Sequence, residues 1–187
     1  GNVTVIAGDT GHLTFGRSQT TLGTPNHVGL LGQLLNQYCA TPGARYGHLI
    51  IPYMQRVAQI DLSLDTDSRL HNRLRSTADD VVMRDVQDAF FDQHYWSPAQ
   101  ASASQLGLAL PLSIAVVYDS AVHGSWQAMR DLTHQNVNGT PATVGEKAWI
   151  EAYIKTRRNW LAGYASRPDL QTTVYRMDSL QRLLDYD

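Results

Sequence analysis

The chain has 187 residues with 17 acidic and 15 basic side chains, for a formal net charge of −2. It therefore has neither the basic excess of a nucleic-acid-binding surface nor a cationic run suited to an anionic membrane. Its single cysteine, Cys39, excludes an intrachain disulfide or a thiolate zinc cluster and reads as a small apolar residue in a helix, no apolar run approaches the roughly 20 residues of a membrane span, and no signal peptide opens the chain, so the sequence reads as one soluble domain, 1–187, without metal or other cofactor.

Taken in order, Val3-Thr4-Val5-Ile6 and Leu13-Thr14-Phe15 are β-type runs, and the Gly-rich stretch between them holds Asp9, which predicts a hairpin within residues 1–20. Thr24-Pro25 has the form of a helix start, and Val28, Leu30, Leu31, Leu34, Leu35 and Tyr38 follow at helical spacing, predicting a helix over 25–40 and a helical body over 24–187. A second helix over 45–59 carries Pro52, which kinks or splits it. Helices are predicted over 65–75 and 79–94, the latter with Val81, Val82, Val86, Ala89 and Phe90 on one side, and Ser97-Pro98 opens another. Residues 106–122 are the most apolar part of the chain, with Asp119 their one charge, and read as a central buried helix. A loop over 136–141 precedes a long helix over 146–163, and short helical turns close the chain. The fold class is mainly α, with a small N-terminal hairpin.

Through Ile60 the only carboxylate side chain is Asp9, and the whole sequence has two glutamates, Glu146 and Glu151. A solitary carboxylate on a hairpin turn beside a helical body resembles the lysozyme-like α+β glycosidases, in which a helix and a hairpin flank a cleft. Glycosidic cleavage needs two carboxyl groups, one protonated toward the leaving oxygen and one ionised to activate water or stabilise the sugar cation. An Asp in such a turn more commonly just bonds its own backbone.

Asp9, Thr14 and Gly16 in "GDTGHLTFG" are similar to the hairpin motif of the chitosanase family, glycoside hydrolase family 46, and of its peptidoglycan-cleaving relatives. "FGRSQTTLGTPNHVGLLGQLLNQYC" resembles the relatives found as phage endolysins and as C-terminal lysozyme domains of type VI secretion effectors. "AVVYDSAVHGSW", "YIKTRRNWL" and "SRPDLQTTVYRM" follow in the family's order. The resemblance implies that Asp9 is the general base and that Thr14 helps hold the attacking water. It makes Asp119, Arg157 and Arg167 an ion network behind the catalytic acid, although helix-face geometry leaves Arg157 and Arg158 as alternatives. Arg17, Gln19, Tyr46 and His123 are candidate substrate contacts, for which exposed-loop or core roles are the plainer readings.

The family's acid is a glutamate on a helix before the hairpin. The sequence begins at Gly1 on a strand-type run and lacks it, which points to a piece of a longer protein with the acid upstream. Gly11 stands where chitosanases tend to carry an arginine, and Arg17, Arg45 and Arg56 give the first lobe a mildly basic reading that suits the carboxylates of peptidoglycan. The sequence-based expectation is therefore a muramidase-type hydrolase, secreted or delivered to a target-cell periplasm as an antibacterial effector domain, with inversion at the sugar. Peptidoglycan strands would be its partner, with an immunity protein as a second one. Chitosan hydrolysis and a non-catalytic binding domain are the alternatives.

Overall fold

The computed structural model describes residues 2–17, 19–164 and 168–186, and the chain divides into two compact units after Asp92. In the first unit β1 (Val3–Thr4), β2 (Thr14–Phe15) and β3 (Thr20–Thr21) form an antiparallel sheet in that order, with Val3 opposite Phe15 and Thr14 opposite Thr21. The expected hairpin is present, but its paired strands are two residues long, and Val5 and Ile6 are exposed in the connection. Gly16 takes φ +84, and a Cβ there would sit 2.2 Å from the Gln87 amide oxygen, so the turn into β3 requires glycine.

The expected helix start at Thr24-Pro25 is corrected. β4 (Gly23–Thr24) pairs with β5 (His27–Val28), Thr24 lies opposite His27, and Pro25-Asn26 is the turn between them. The fixed φ of proline suits the first turn of a helix and the second position of a β-turn equally, so the motif alone did not discriminate. The helix, α1, spans Leu31–Ala40 and buries Leu31, Leu34, Leu35 and Tyr38. Pro52 splits the next helical region as anticipated, into α2 (Gly47–Ile50), a 3₁₀ turn (Ile51–Tyr53) and α3 (Met54–Ala58).

A 3₁₀ turn, Leu62–Thr66, leads into α4 (Ser68–Ser76), whose cap Asp67 accepts the Leu70 N–H at 3.0 Å. α5 (Val81–Phe91) is capped by Asp80. Its buried stripe is Met83, Val86, Gln87 and Phe90 rather than the expected Val-rich side, because Val81 and Ala89 fall off that i, i+3, i+4, i+7 track. Gln87 is tolerated there because its amide oxygen accepts the Arg17 N–H at 2.9 Å. Leu13 and Phe15 of the hairpin region, α1, α4 and α5 share one core.

The second unit has its own core. A π-helical turn at Asp92–Trp96 replaces the end of the helix predicted to reach residue 94, and α6 (Ser97–Gln105) opens at Ser97-Pro98 as read. The apolar stretch from 106 becomes helical only at α7 (Pro111–Val122), since Gly107 takes φ +72 and Pro111 fits a first helical turn. α8 (Trp126–Val137), which the sequence reading did not place, is followed by α9 (Pro141–Val144) and by α10, whose bounds Glu146–Gly163 match the expectation. α11 (Pro168–Gln171) and α12 (Val174–Asp185) finish the chain, the last far longer than a helical turn. Among the described residues no helix is long and apolar enough to cross a membrane.

Candidate active site residues and family

Asp9 lies in the connection between β1 and β2, where residues 4–10 are all exposed and the Asp9 N–H donates to the Ile6 carbonyl at 3.1 Å. Among the described residues nothing donates a hydrogen bond to its carboxylate, so the plainer reading of a turn Asp bonded to its own backbone does not hold. Its Oδ2 is 3.1 Å from where a Cβ on Gly11 would stand. A side chain at residue 11 would crowd that oxygen, and glycine leaves it open. The Thr14 hydroxyl on β2 donates to the His12 carbonyl at 3.0 Å, which leaves its lone pairs free to accept.

The arginines expected to make this unit basic are largely neutralised. Arg17 pairs with Asp88, and Arg56 reaches Asp61 at 2.7 Å, Asp67 at 2.8 Å and the Ser63 hydroxyl at 2.8 Å. Asp61 is held at about 2, chiefly by the Ser63 hydroxyl and by Arg56. Gln19 is exposed with φ +50, and the half-buried Tyr46 packs against the core with the Arg45 guanidinium 5.4 Å from its ring centre. The sequence reading missed Asp80, which is 4% exposed and accepts from the Tyr38 hydroxyl (2.6 Å), the Arg45 N–H (2.8 Å) and the Val82 N–H (3.0 Å). Burial by itself would raise its pKa, but these three donors outweigh it and hold the carboxyl below the usual range.

In the second unit Asp119 on α7 meets two guanidinium groups. Arg176 on α12 donates to its Oδ1, and Nη1 of Arg157 on α10 stands 3.7 Å from its Oδ2. Arg157 is 2% exposed, whereas Arg158 faces outward and pairs with Asp178 at 2.6 Å, which decides between the two. Arg176 lies in the segment from which Arg167 had been singled out, and Arg167 itself is outside the described residues. Two cations face one carboxylate here, and Arg157 Nε, Arg157 Nη1 and Arg176 Nε are buried without a hydrogen-bond acceptor among the described residues. His123, exposed on one side at the end of α7, has its pKa lowered by partial burial and by Arg176 and Arg157, against the opposing pull of Asp119. A cavity of about 380 Å³ beside this cluster is lined by His123, Ser125, Arg157, Trp160, Tyr164 and Arg176, among others.

Neither glutamate is part of this cluster. Glu146 accepts the N–H groups of Ala109 and Leu110 at 2.9 and 2.8 Å ahead of α7, and Glu151 is exposed on α10. Among the described residues no group of three His, Cys, Asp or Glu side chains is placed to hold a metal ion.

A mainly helical chain with a small N-terminal antiparallel sheet fits the lysozyme-like α+β class that the sequence resembles. The chain belongs to glycosyl hydrolase family 46, whose sequence pattern matches residues 3–185. It is 28% identical over 146 residues to a chitosanase of Bacillus subtilis (strain 168), an alignment that takes in 71% of this chain and spans about half, 52%, of that relative. Its fold matches a chitosanase of Gynuella sunshinyii in complex with chitotetraose, with a TM-score of 0.81 and 26% identity, over 98% of this chain and 79% of that one. A mutant chitosanase of Bacillus subtilis MY002 complexed with 6 GlcN matches with a TM-score of 0.78 and 25% identity, over 99% and 80% of the two chains. These likenesses support a glycan hydrolase and point to chitosanases, the alternative in the sequence reading, rather than to muramidases.

Proposed function

We propose that this chain is the body of a chitosan-type hydrolase, cutting β-1,4 bonds between glucosamine units by acid–base catalysis with Asp9 as the base. The observation that carries the reading is the open carboxylate of Asp9, exposed and unbonded among the described residues, on the hairpin of a family 46 chain. As base it would take a proton from the attacking water, while the Thr14 hydroxyl, its own proton committed to His12, would accept from that water and orient it. Direct attack by water gives inversion and needs the wider carboxyl separation of inverting enzymes.

Glu146 is engaged by the N–H groups of Ala109 and Leu110, so this reading does not use it as the acid. Polycationic chitosan fits the first unit better than an anionic glycan does. Residues 1–92 hold nine aspartates against seven arginines, and Arg17 and Arg56 already face aspartates.

A peptidoglycan substrate, with an immunity protein as partner and periplasmic delivery, is the second reading. Gly11, where chitosanases tend to carry arginine, favours it. The test assays the full-length protein on chitosan and on purified sacculi, alongside Asp9→Asn. Reducing ends should be released from chitosan, and Asp9→Asn should lower that rate by about 10²-fold or more without shifting the thermal midpoint. Activity on sacculi alone would move the substrate to the second reading, and an unaffected Asp9→Asn would remove Asp9 from the mechanism.

A further inference from the structure

The turn that carries Asp9 has little of its own to hold it. Residues 4–10 are exposed, Ile6 is 65% exposed, and the flanking paired strands are two residues long. Its backbone bonds are the Asp9 N–H to the Ile6 carbonyl at 3.1 Å and the Gly23 N–H to the Gly11 carbonyl at 2.9 Å. A short, solvated turn with so few buried contacts opens at small cost in free energy. A general base, by contrast, loses about 10²-fold in rate when displaced by an ångström.

One side chain supplies a long-range anchor. His12, three residues after Asp9, places Nδ1 2.7 Å from Asp65 Oδ2, across 53 residues of sequence, and both side chains are largely buried, at 24% and 17% exposure. His12 takes φ +55, in the left-handed region that glycine enters freely and other residues, histidine among the more tolerant of them, enter less often. Asp65 is a firm partner. It sits on the 3₁₀ turn Leu62–Thr66, which is pinned by the fully buried Leu64 and bracketed by Asp61 and Asp67, both held by Arg56. The same His12 also receives, at its carbonyl, the Thr14 hydroxyl. The ring of His12 is thus tied to a segment held by Leu64 and Arg56, while its carbonyl accepts the Thr14 hydroxyl and its backbone adjoins the Asp9 turn.

We propose that the His12–Asp65 pair is a latch that positions the Asp9 turn for catalysis, which rests on the reading of Asp9 as the base. His12 is a positioning residue and touches no reacting atom.

The test compares His12→Gly, Asp65→Ala, the double variant and Asp9→Asn in the full-length protein, using turnover on chitosan together with amide hydrogen exchange over residues 8–14. His12→Gly is the informative variant, because it removes the tether while relaxing the backbone. The latch predicts that His12→Gly and Asp65→Ala each lower kcat about tenfold or more with KM within about threefold, and that the double variant is no worse than either single one. It also predicts exchange over residues 8–14 faster by about fivefold or more, with the rest of the unit unchanged. Wild-type kcat and exchange in His12→Gly, or single losses that multiply in the double variant, would overturn the latch. If Asp9→Asn keeps full activity, the base assignment fails and the catalytic role of the latch falls with it. The exchange data then still decide whether the pair orders the turn.

Discussion

Asp80 shows how a side chain with no part in the proposed chemistry can govern the stability of a unit. Its two oxygens accept three hydrogen bonds from Tyr38, Arg45 and Val82, and Tyr38 in turn accepts the Tyr46 N–H at 3.0 Å, so one carboxylate ties α1, the turn before α2 and the start of α5. Burial, with Asp80 as its hydrogen-bond partner, pushes the Tyr38 hydroxyl far above its usual range, so it stays a donor at all working pH values. Asp80→Asn keeps the volume but turns one acceptor into a donor, which at best faces the Val82 N–H and otherwise faces the Tyr38 hydroxyl and the Arg45 N–H. Chemical denaturation should show a loss of about 1–3 kcal/mol, the cost of leaving buried donors unsatisfied. Tyr38→Phe should cost a similar amount, because Asp80 loses a donor and the Tyr46 N–H loses its acceptor. In sequence Asp80 is one aspartate among several, and only its N-cap position before a helix was available as a signal. The partners that give it weight lie 35 and 42 residues away. Asp9 was legible for the opposite reason, because its glycine-rich turn and its isolation among carboxylates are local features.

Helices were legible where one strong period ran uninterrupted. α10 was placed to the residue because Trp149, Ile150, Tyr153, Ile154, Thr156, Arg157 and Leu161 mark one continuous face. α8 was missed because its buried positions, Trp126, Met129 and Thr133, are few and its remaining surface is polar. The same face logic left Arg157 and Arg158 undecided, since which of two adjacent arginines turns inward depends on α7 and α12. That packing predicts two contrasting outcomes. Asp119→Ala strands the buried Arg157 guanidinium without its carboxylate and should cost about 3–5 kcal/mol. Arg158→Ala breaks only a solvent-exposed pair with Asp178 and should change stability by about 1 kcal/mol or less. Equal losses in a urea titration would mean that the Asp119 cluster is not the brace between α7, α10 and α12 that its geometry describes.

Across the whole chain, the groups with displaced pKa values fix how stability follows pH. Asp61, Asp67, Asp80, Asp131 and Glu146 are all held below their ordinary values by donors that favour the charged form. Their contribution is complete above the unfolded carboxylate range near 4 and is lost as pH falls through their folded values, for Asp61 about 2. His123 acts in a separate window with the same direction. Partial burial and the field of Arg176 and Arg157 lower its pKa, so the unfolded chain binds its proton first, and stability falls as pH drops below about 6.5. Unfolding free energy measured from pH 8 downward should therefore decline in two stages, a shallow one beginning near 6.5 and a steep one below about 4. His123→Gln, which cannot take up a proton, should flatten the shallow stage and leave the steep one in place. A shallow stage that persists in that variant would assign it to another histidine, and with it would go the picture of a His123 pKa lowered first by partial burial and then by the arginines that face Asp119.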